Sequence, residues 1–150
     1  EGRYDLMTRR DAESFATKRP AGEQADPRIV RAIETRIKDN EYACHHAEQV
    51  AAELAEPLEK IGATLDLLEI RIARCQLGLF GYAPESRIVK SANAVTPELE
   101  GAIRQALVND RLPCAAAWAV AKAQGLPRMK VAEACEFLRI KIKPCQLGAF

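Results

Sequence analysis

Residues 114–142 read CAAAWAVAKAQGLPRMKVAEACEFLRIKI, and seventy positions earlier residues 44–72 read CHHAEQVAAELAEPLEKIGATLDLLEIRI. Each stretch opens on a cysteine, runs eleven residues to a short break, and meets a proline, Pro57 or Pro127. A proline ends one helix and suits the start of the next, where its missing N–H is not needed. Beyond it stand Ile61, Leu65 and Leu68 in one copy and Val131, Cys135 and Leu138 in the other. Spacings of three and four put each set on one helical face. The pattern predicts two helices joined by three or four residues, from about Cys44 to Leu54 and Cys114 to Gln124, then from Pro57 and Pro127 onward. EIRI at 69–72 and RIKI at 139–142 then alternate like a short strand.

Working outward, a shift of 70 aligns residues 27–80 with 97–150 without a gap, with 17 identities in 54 positions. That likeness marks a duplicated unit. Asp26-Pro27 and Thr96-Pro97 each pair an N-cap residue with a proline at the first helical position. The helix so started carries Ile29, Ala32, Ile33 and Ile37 in one copy and Leu99, Ala102, Ile103 and Leu107 in the other. A polar break follows, DNEYA at 39–43 or NDRLP at 109–113. Each copy closes on one phrase, CQLGLF at 75–80 and CQLGAF at 145–150. In it Leu77/Leu147 and Phe80/Phe150 are expected as core anchors, Gly78/Gly148 as the turn between them, and Gln76/Gln146 as donors or acceptors to backbone. The organisation expected is an N-terminal arm (1–26), repeat 1 (27–80), a linker (81–96) and repeat 2 (97–150). In the arm, Tyr4, Leu6, Met7 and Phe15 are the side chains available for burial. The fold class is all-α, mainly helical with short strands.

Composition agrees. Hydrophobic residues make up 48% of the 150, enough for a core, and aromatics only 5%, which suits helices over sheets. A net charge of +1 gives the whole chain no push toward nucleic acid or membrane. The longest apolar run, CAAAWAVA at 114–121, is far too short to span a bilayer. The first residues, EGRYDLMTRR, show no apolar run of a secretory signal. Five cysteines, an odd number, without such a signal point to reduced thiols and a cytoplasmic location.

Two helices joined so tightly form a helix-turn-helix arrangement. Ala121, Gly125 and Val131 stand fifth, ninth and fifteenth in its usual pattern: a small residue at the crossing, a positive-φ turn residue, and a buried aliphatic. The first copy has Ala51, Ala55 and Ile61 there. With one strand after the third helix, each unit resembles a trimmed winged helix-turn-helix domain, over residues 27–80 and 97–150. The resemblance implies DNA binding, in transcriptional regulation, with the third helix facing the bases. The positions it would present are Leu58, Glu59, Gly62, Ala63 and Asp66, and Arg128, Met129, Ala132, Glu133 and Glu136; four of the ten are carboxylates, which repel phosphate. Residues 97–150 hold 8 basic and 5 acidic residues, residues 27–80 hold 7 and 9. The candidate contacts to double-stranded DNA are therefore Lys122, Arg128, Lys130, Lys141 and Lys143. The alternative is a protein-docking module that keeps the fold and has lost the reading face.

A third class is metal or redox sensing. Cys44/Cys75 and Cys114/Cys145 recur as pairs, and four thiolates would suit zinc or an iron–sulfur cluster, alone or with His45 and His46. The second copy has Ala115 and Ala116 in place of the histidines, and no C-x-x-C is present, which favours burial as small hydrophobes. Cys135 falls on the core stripe opposite Leu65. No Ser/His/Asp set or Gly-rich phosphate loop argues for an enzyme. The helix around Trp118 is apolar on most sides, unlike its counterpart around Glu48. It wants burial on more than one face, within the chain, against a protein partner, or in a homodimer.

Overall fold

The computed structural model describes residues 15–150. Those residues form six α-helices and one sheet of two short strands, so the chain is mainly helical. They divide into two compact units, Glu1–Ala73 and Arg74–Phe150. Of the arm's apolar side chains, Tyr4, Leu6 and Met7 lie outside the described residues.

In the first unit a 3-10 turn, Phe15–Lys18, precedes α1 (Pro27–Glu34). Pro27 fills the first helical position, and the Asp26 carboxylate accepts from the Arg28 N–H at 2.9 Å. Ile29 and Ile33 are fully buried, but the helix stops at Glu34 and leaves Ile37 39% exposed. Asp39 and Asn40 both take positive φ, 51° and 59°, so that Lys38 and Glu41 exchange backbone bonds at 3.2 and 2.8 Å. Asx residues tolerate that left-handed pair, which turns the chain in the sense strands prefer. The polar break thus holds a strand, β1 (Glu41–Ala43), that no sequence period reveals. Next come α2 (Cys44–Leu54), α3 (Leu58–Leu67) and β2 (Arg71–Ala73). β2 returns to pair with β1 in parallel, Tyr42 opposite Ile72. A wing would need an antiparallel hairpin after the third helix; β2 has instead a parallel partner that precedes the second. The core is Ile29, Ile33, Tyr42, Ala47, Val50, Ile61 and Leu65.

α2 ends with Ala55 in the left-handed region (φ 54°), and the Glu56 N–H reaches back to the Ala51 carbonyl at 2.9 Å. Gly125 holds the same place in the second unit at φ 66°. A left-handed alanine costs roughly 1–2 kcal/mol, against about 0.4–1 kcal/mol of extra chain entropy lost on folding when glycine stands there. Ala55→Gly is therefore expected to stabilise the first unit by about 0.5–1 kcal/mol in urea unfolding. A loss of stability would show that the methyl packs better than its exposure suggests.

The second unit runs through α4 (Pro97–Gln105), α5 (Cys114–Gln124) and α6 (Arg128–Leu138). Thr96 Oγ1 caps α4 by accepting from the Leu99 N–H at 3.2 Å. Asn109 and Asp110 (φ 52° and 64°) turn the chain so that Val108 and Arg111 exchange backbone bonds. Leu112 pairs in parallel with Ile142 as a single bridge. α6 closes on Arg139 at φ 59°, and the Ile140 N–H donates to Cys135 at 2.9 Å. Glu69 and Ile70 do the same seventy residues earlier, at φ 58° and 3.0 Å.

The division at Ala73/Arg74 places both copies of the closing phrase, and residues 81–96, in the second unit. In each phrase the Cys N–H donates to the Phe carbonyl (3.1 Å from Cys75, 2.9 Å from Cys145), with Gly78 at φ 75° and Gly148 at φ 81°. Leu77 and Leu147 are buried, and the Phe80 and Phe150 rings meet edge to face with centroids 5.8 Å apart. The glutamines bond to side chains rather than only to backbone: Arg128 donates to Gln76 Oε1 at 2.8 Å, and Gln146 Nε2 approaches Cys114 Sγ at 3.4 Å. Residues 81–96, expected as a linker, are packed. Val89 is buried, Ile88 and Val89 N–H both donate to Gly78, and Ala92 N–H donates to Glu133 at 3.0 Å.

Candidate nucleic-acid interface

A helix-turn-helix reads bases with the outer face of its third helix. Of the ten side chains expected on that face, only Glu59 and Glu136 are exposed, and both are carboxylates. In the first unit the chain ahead of α1 lies across α3. Phe15 is buried there, and the Glu69 carboxylate accepts from the N–H groups of Phe15 and Ala16, both at 2.8 Å. Lys18 and Arg19 reach Asp66, only 4% exposed, at 3.3 and 4.0 Å. Burial holds the Asp66 carboxyl above its ordinary range, with the two cations pulling the other way. In the second unit the chain ahead of α4 crosses α6 likewise. Arg87 pairs with Glu136 at 2.6 Å, and Ala92 is tied to Glu133. Asp66 and Glu136 occupy corresponding positions. Each unit therefore lays the segment that precedes it across the outer face of its own third helix.

The five basic candidates separate accordingly. The Arg128 guanidinium lies over the Trp118 ring at 3.6 Å from its centroid and donates to Gln76, so it is spent inside the unit. Lys130 is exposed and pairs with Glu133 at 3.2 Å. Lys122 stands exposed near the end of α5. Lys141 and Lys143 are exposed on either side of buried Ile142. Trp118 is half-buried under Arg128, with its indole N–H buried and without a hydrogen-bond partner among the described residues. Val120, Ala117 and Ala121 of the same helix are buried, so much of its apolar surface is covered within the chain.

Of the repeated cysteines, Cys44 belongs to the first unit and Cys75, Cys114 and Cys145 to the second. Cys114 and Cys145 are neighbours through the bond from Cys114 N–H to Pro144 at 3.0 Å. Burial pushes the Cys75 thiol up, Cys114 up to about 11 and the core residue Cys135 up to about 12. Such thiols stay protonated near neutral pH, and the thiolate is the form that attacks or ligates. Among the described residues no group of three or more His, Cys, Asp or Glu converges to hold a metal. The His45 and His46 rings lie tilted at 48° with centroids 4.1 Å apart, and burial first, then His45, holds His46 below the usual imidazole range.

The units differ at one further place. In the first, Asp26, Arg28, Glu56 and Lys60 form an ion cluster over the turn between α2 and α3. Their counterparts are Thr96, Glu98, Leu126 and Lys130, and there the second unit has a cleft of about 590 Å³ bounded by residues 90–96, Leu99, Leu126 and Lys130. Among the described residues no helix is long and apolar enough to cross a membrane. Comparison with protein-family models, curated proteins and solved structures finds nothing that matches this chain.

Proposed function

We propose that the chain is a DNA-binding protein of the helix-turn-helix type, acting in transcriptional regulation without catalysis, and that its second compact unit carries the contact. One observation bears most of the weight. Residues 74–150 hold 11 basic and 6 acidic residues, a net +5, whereas residues 1–73 hold 11 and 15, a net −4. A polyanion is drawn to one unit and repelled by the other. The reading as tandem helix-turn-helix units is supported by the recurrence, at an offset of seventy, of the proline starts, the left-handed turns and the parallel pairings Tyr42–Ile72 and Leu112–Ile142, although those pairings stand where a wing would be antiparallel. With both third-helix faces filled, the contacts go to phosphates and tolerate many sequences.

The test is titration of mixed-sequence duplex with the full chain at several salt concentrations. Affinity should fall linearly on a log–log plot, with a slope of about −0.9 for each phosphate contacted. No binding at about 50 mM salt would overturn the proposal. The filled reading faces and the 590 Å³ cleft favour a second reading, a protein-docking module. Loss of DNA binding together with capture of one defined protein through the second unit would establish it.

A further inference from the structure

Arg111 and Arg139 do not belong to the helix-turn-helix pattern, yet they complete a row. Along Arg139-Ile140-Lys141-Ile142-Lys143 the isoleucines are 8% and 7% exposed and the three basic residues face solvent. Leu112, fully buried, stands opposite Ile142 in parallel register, which brings exposed Arg111 level with Lys141. The backbone is held on both sides, by Leu112 N–H to Lys141 and Lys143 N–H to Leu112, each at 2.9 Å. Three other cations of this unit are paired, Arg87 with Glu136, Arg104 with Glu100 and Lys130 with Glu133, while Lys90 and Lys122 stand apart from this row. Among the described residues none of these four makes an ion pair. One carboxylate, Asp110 in the adjoining turn, stands beside them.

The corresponding positions of the first unit are Glu41, Glu69, Arg71 and Ala73, with Asp39 in the turn. One face thus carries two acids and a base where the other carries four bases. At two of these positions the first unit uses its side chain inside the fold, Ala73 buried and Glu69 accepting from Phe15 and Ala16, whereas all four basic side chains of the second unit face solvent. Lys141 and Lys143 flank the bridged Ile142, and alternate residues of an extended strand lie about 6.6 Å apart; Arg139, left-handed at φ 59°, stands just before that stretch. The phosphates of one DNA strand advance about 3.4 Å per step along the helix axis, so basic side chains at this separation reach different phosphates.

We infer that the outer side of the Leu112–Ile142 pairing, presented by Arg111, Arg139, Lys141 and Lys143, is the surface on which the phosphate backbone of duplex DNA lies. The inference rests on the DNA-binding reading proposed above and names its surface. It assigns no base contact, so the surface positions the duplex without selecting its sequence.

Two triple variants of the full chain test it. One carries Arg111→Gln, Lys141→Gln and Lys143→Gln. The other removes the same charge elsewhere in the unit, with Arg74→Gln, Lys90→Gln and Arg104→Gln. All six side chains are exposed, so circular dichroism and thermal unfolding check that both variants stay folded. The first is expected to flatten the salt slope of duplex binding by about 2.7, at about 0.9 for each phosphate no longer neutralised, and the second to leave it nearly unchanged. Equal flattening in both would overturn the surface while leaving DNA binding in place. No duplex binding by the parent chain would overturn both readings. Anionic phosphatidylserine vesicles form the last arm: a parent that bound them more tightly than duplex, through the same three residues, would overturn DNA as the partner.

Discussion

Replacing Phe80 with alanine is expected to lower the stability of the second unit by about 3–5 kcal/mol, the usual cost of emptying a buried aromatic site. The ring is 9% exposed and packs edge to face against Phe150, so the loss includes the aromatic pairing as well as the transfer of the side chain. Cys75→Ser, five residues away in the same phrase, should cost about 1–3 kcal/mol, because the hydroxyl enters a buried site where backbone N–H groups of the turn are at hand. Urea unfolding of the full chain and both variants compares them. A larger loss from the serine variant would mean that the phrase is held by its thiol rather than its ring.

Gly78→Ala should cost about 2–5 kcal/mol and Gly148→Ala only about 1–2 kcal/mol, although the two glycines hold the same place in the same phrase. Both are left-handed, at φ 75° and 81°, and an added methyl strains either backbone by roughly 1–2 kcal/mol. They differ in what surrounds them. A Cβ on Gly78 would meet Met129 Cε at 3.1 Å, Val89 N at 3.2 Å and Ile88 Cγ1 at 3.3 Å, while one on Gly148 would meet nothing within 4 Å. The methionine tip can swing aside, but the Val89 amide is tied to the Gly78 carbonyl at 3.1 Å and cannot. Overpacking of this kind adds about 1–3 kcal/mol. Equal midpoints for the two variants in urea would show that residues 88–89 yield freely.

The helices were the legible part of the sequence. Apolar spacing and the breaks at Pro57 and Pro127 located α2 and α5 to the residue, because each rule acts within one turn of helix. β1 was hidden because three residues are too few to show alternation, and because the turn before it is made by Asp39 and Asn40 rather than glycine. The interface was harder to see. Helical spacing assigns a face to solvent whenever nothing apolar marks it, and Asp66 fits that rule until Lys18 and Phe15 are found lying over it. A single 3-10 turn has no period to announce itself. Arg128 looked like a base reader for a related reason: its partner Trp118 lies ten residues back, across the turn, where no local rule looks. Lys141 and Lys143 were visible from composition, while Arg111 joins them only through strand register.

A duplicated segment usually leaves two modules that can be lost, copied or exchanged one at a time. Here the phrase closing the first copy folds into the second compact unit, so the joint in the gene and the joint in the molecule fall at different places. A crossover after Phe80, where the first stretch of the sequence repeat ends, would strip Leu77 and Phe80 from the body they help to build. One after Ala73 would leave each body whole, and would hand the second both copies of the closing phrase. A boundary drawn from the repeated sequence would therefore cut through a folded body, and one drawn from the fold would cut through a repeat.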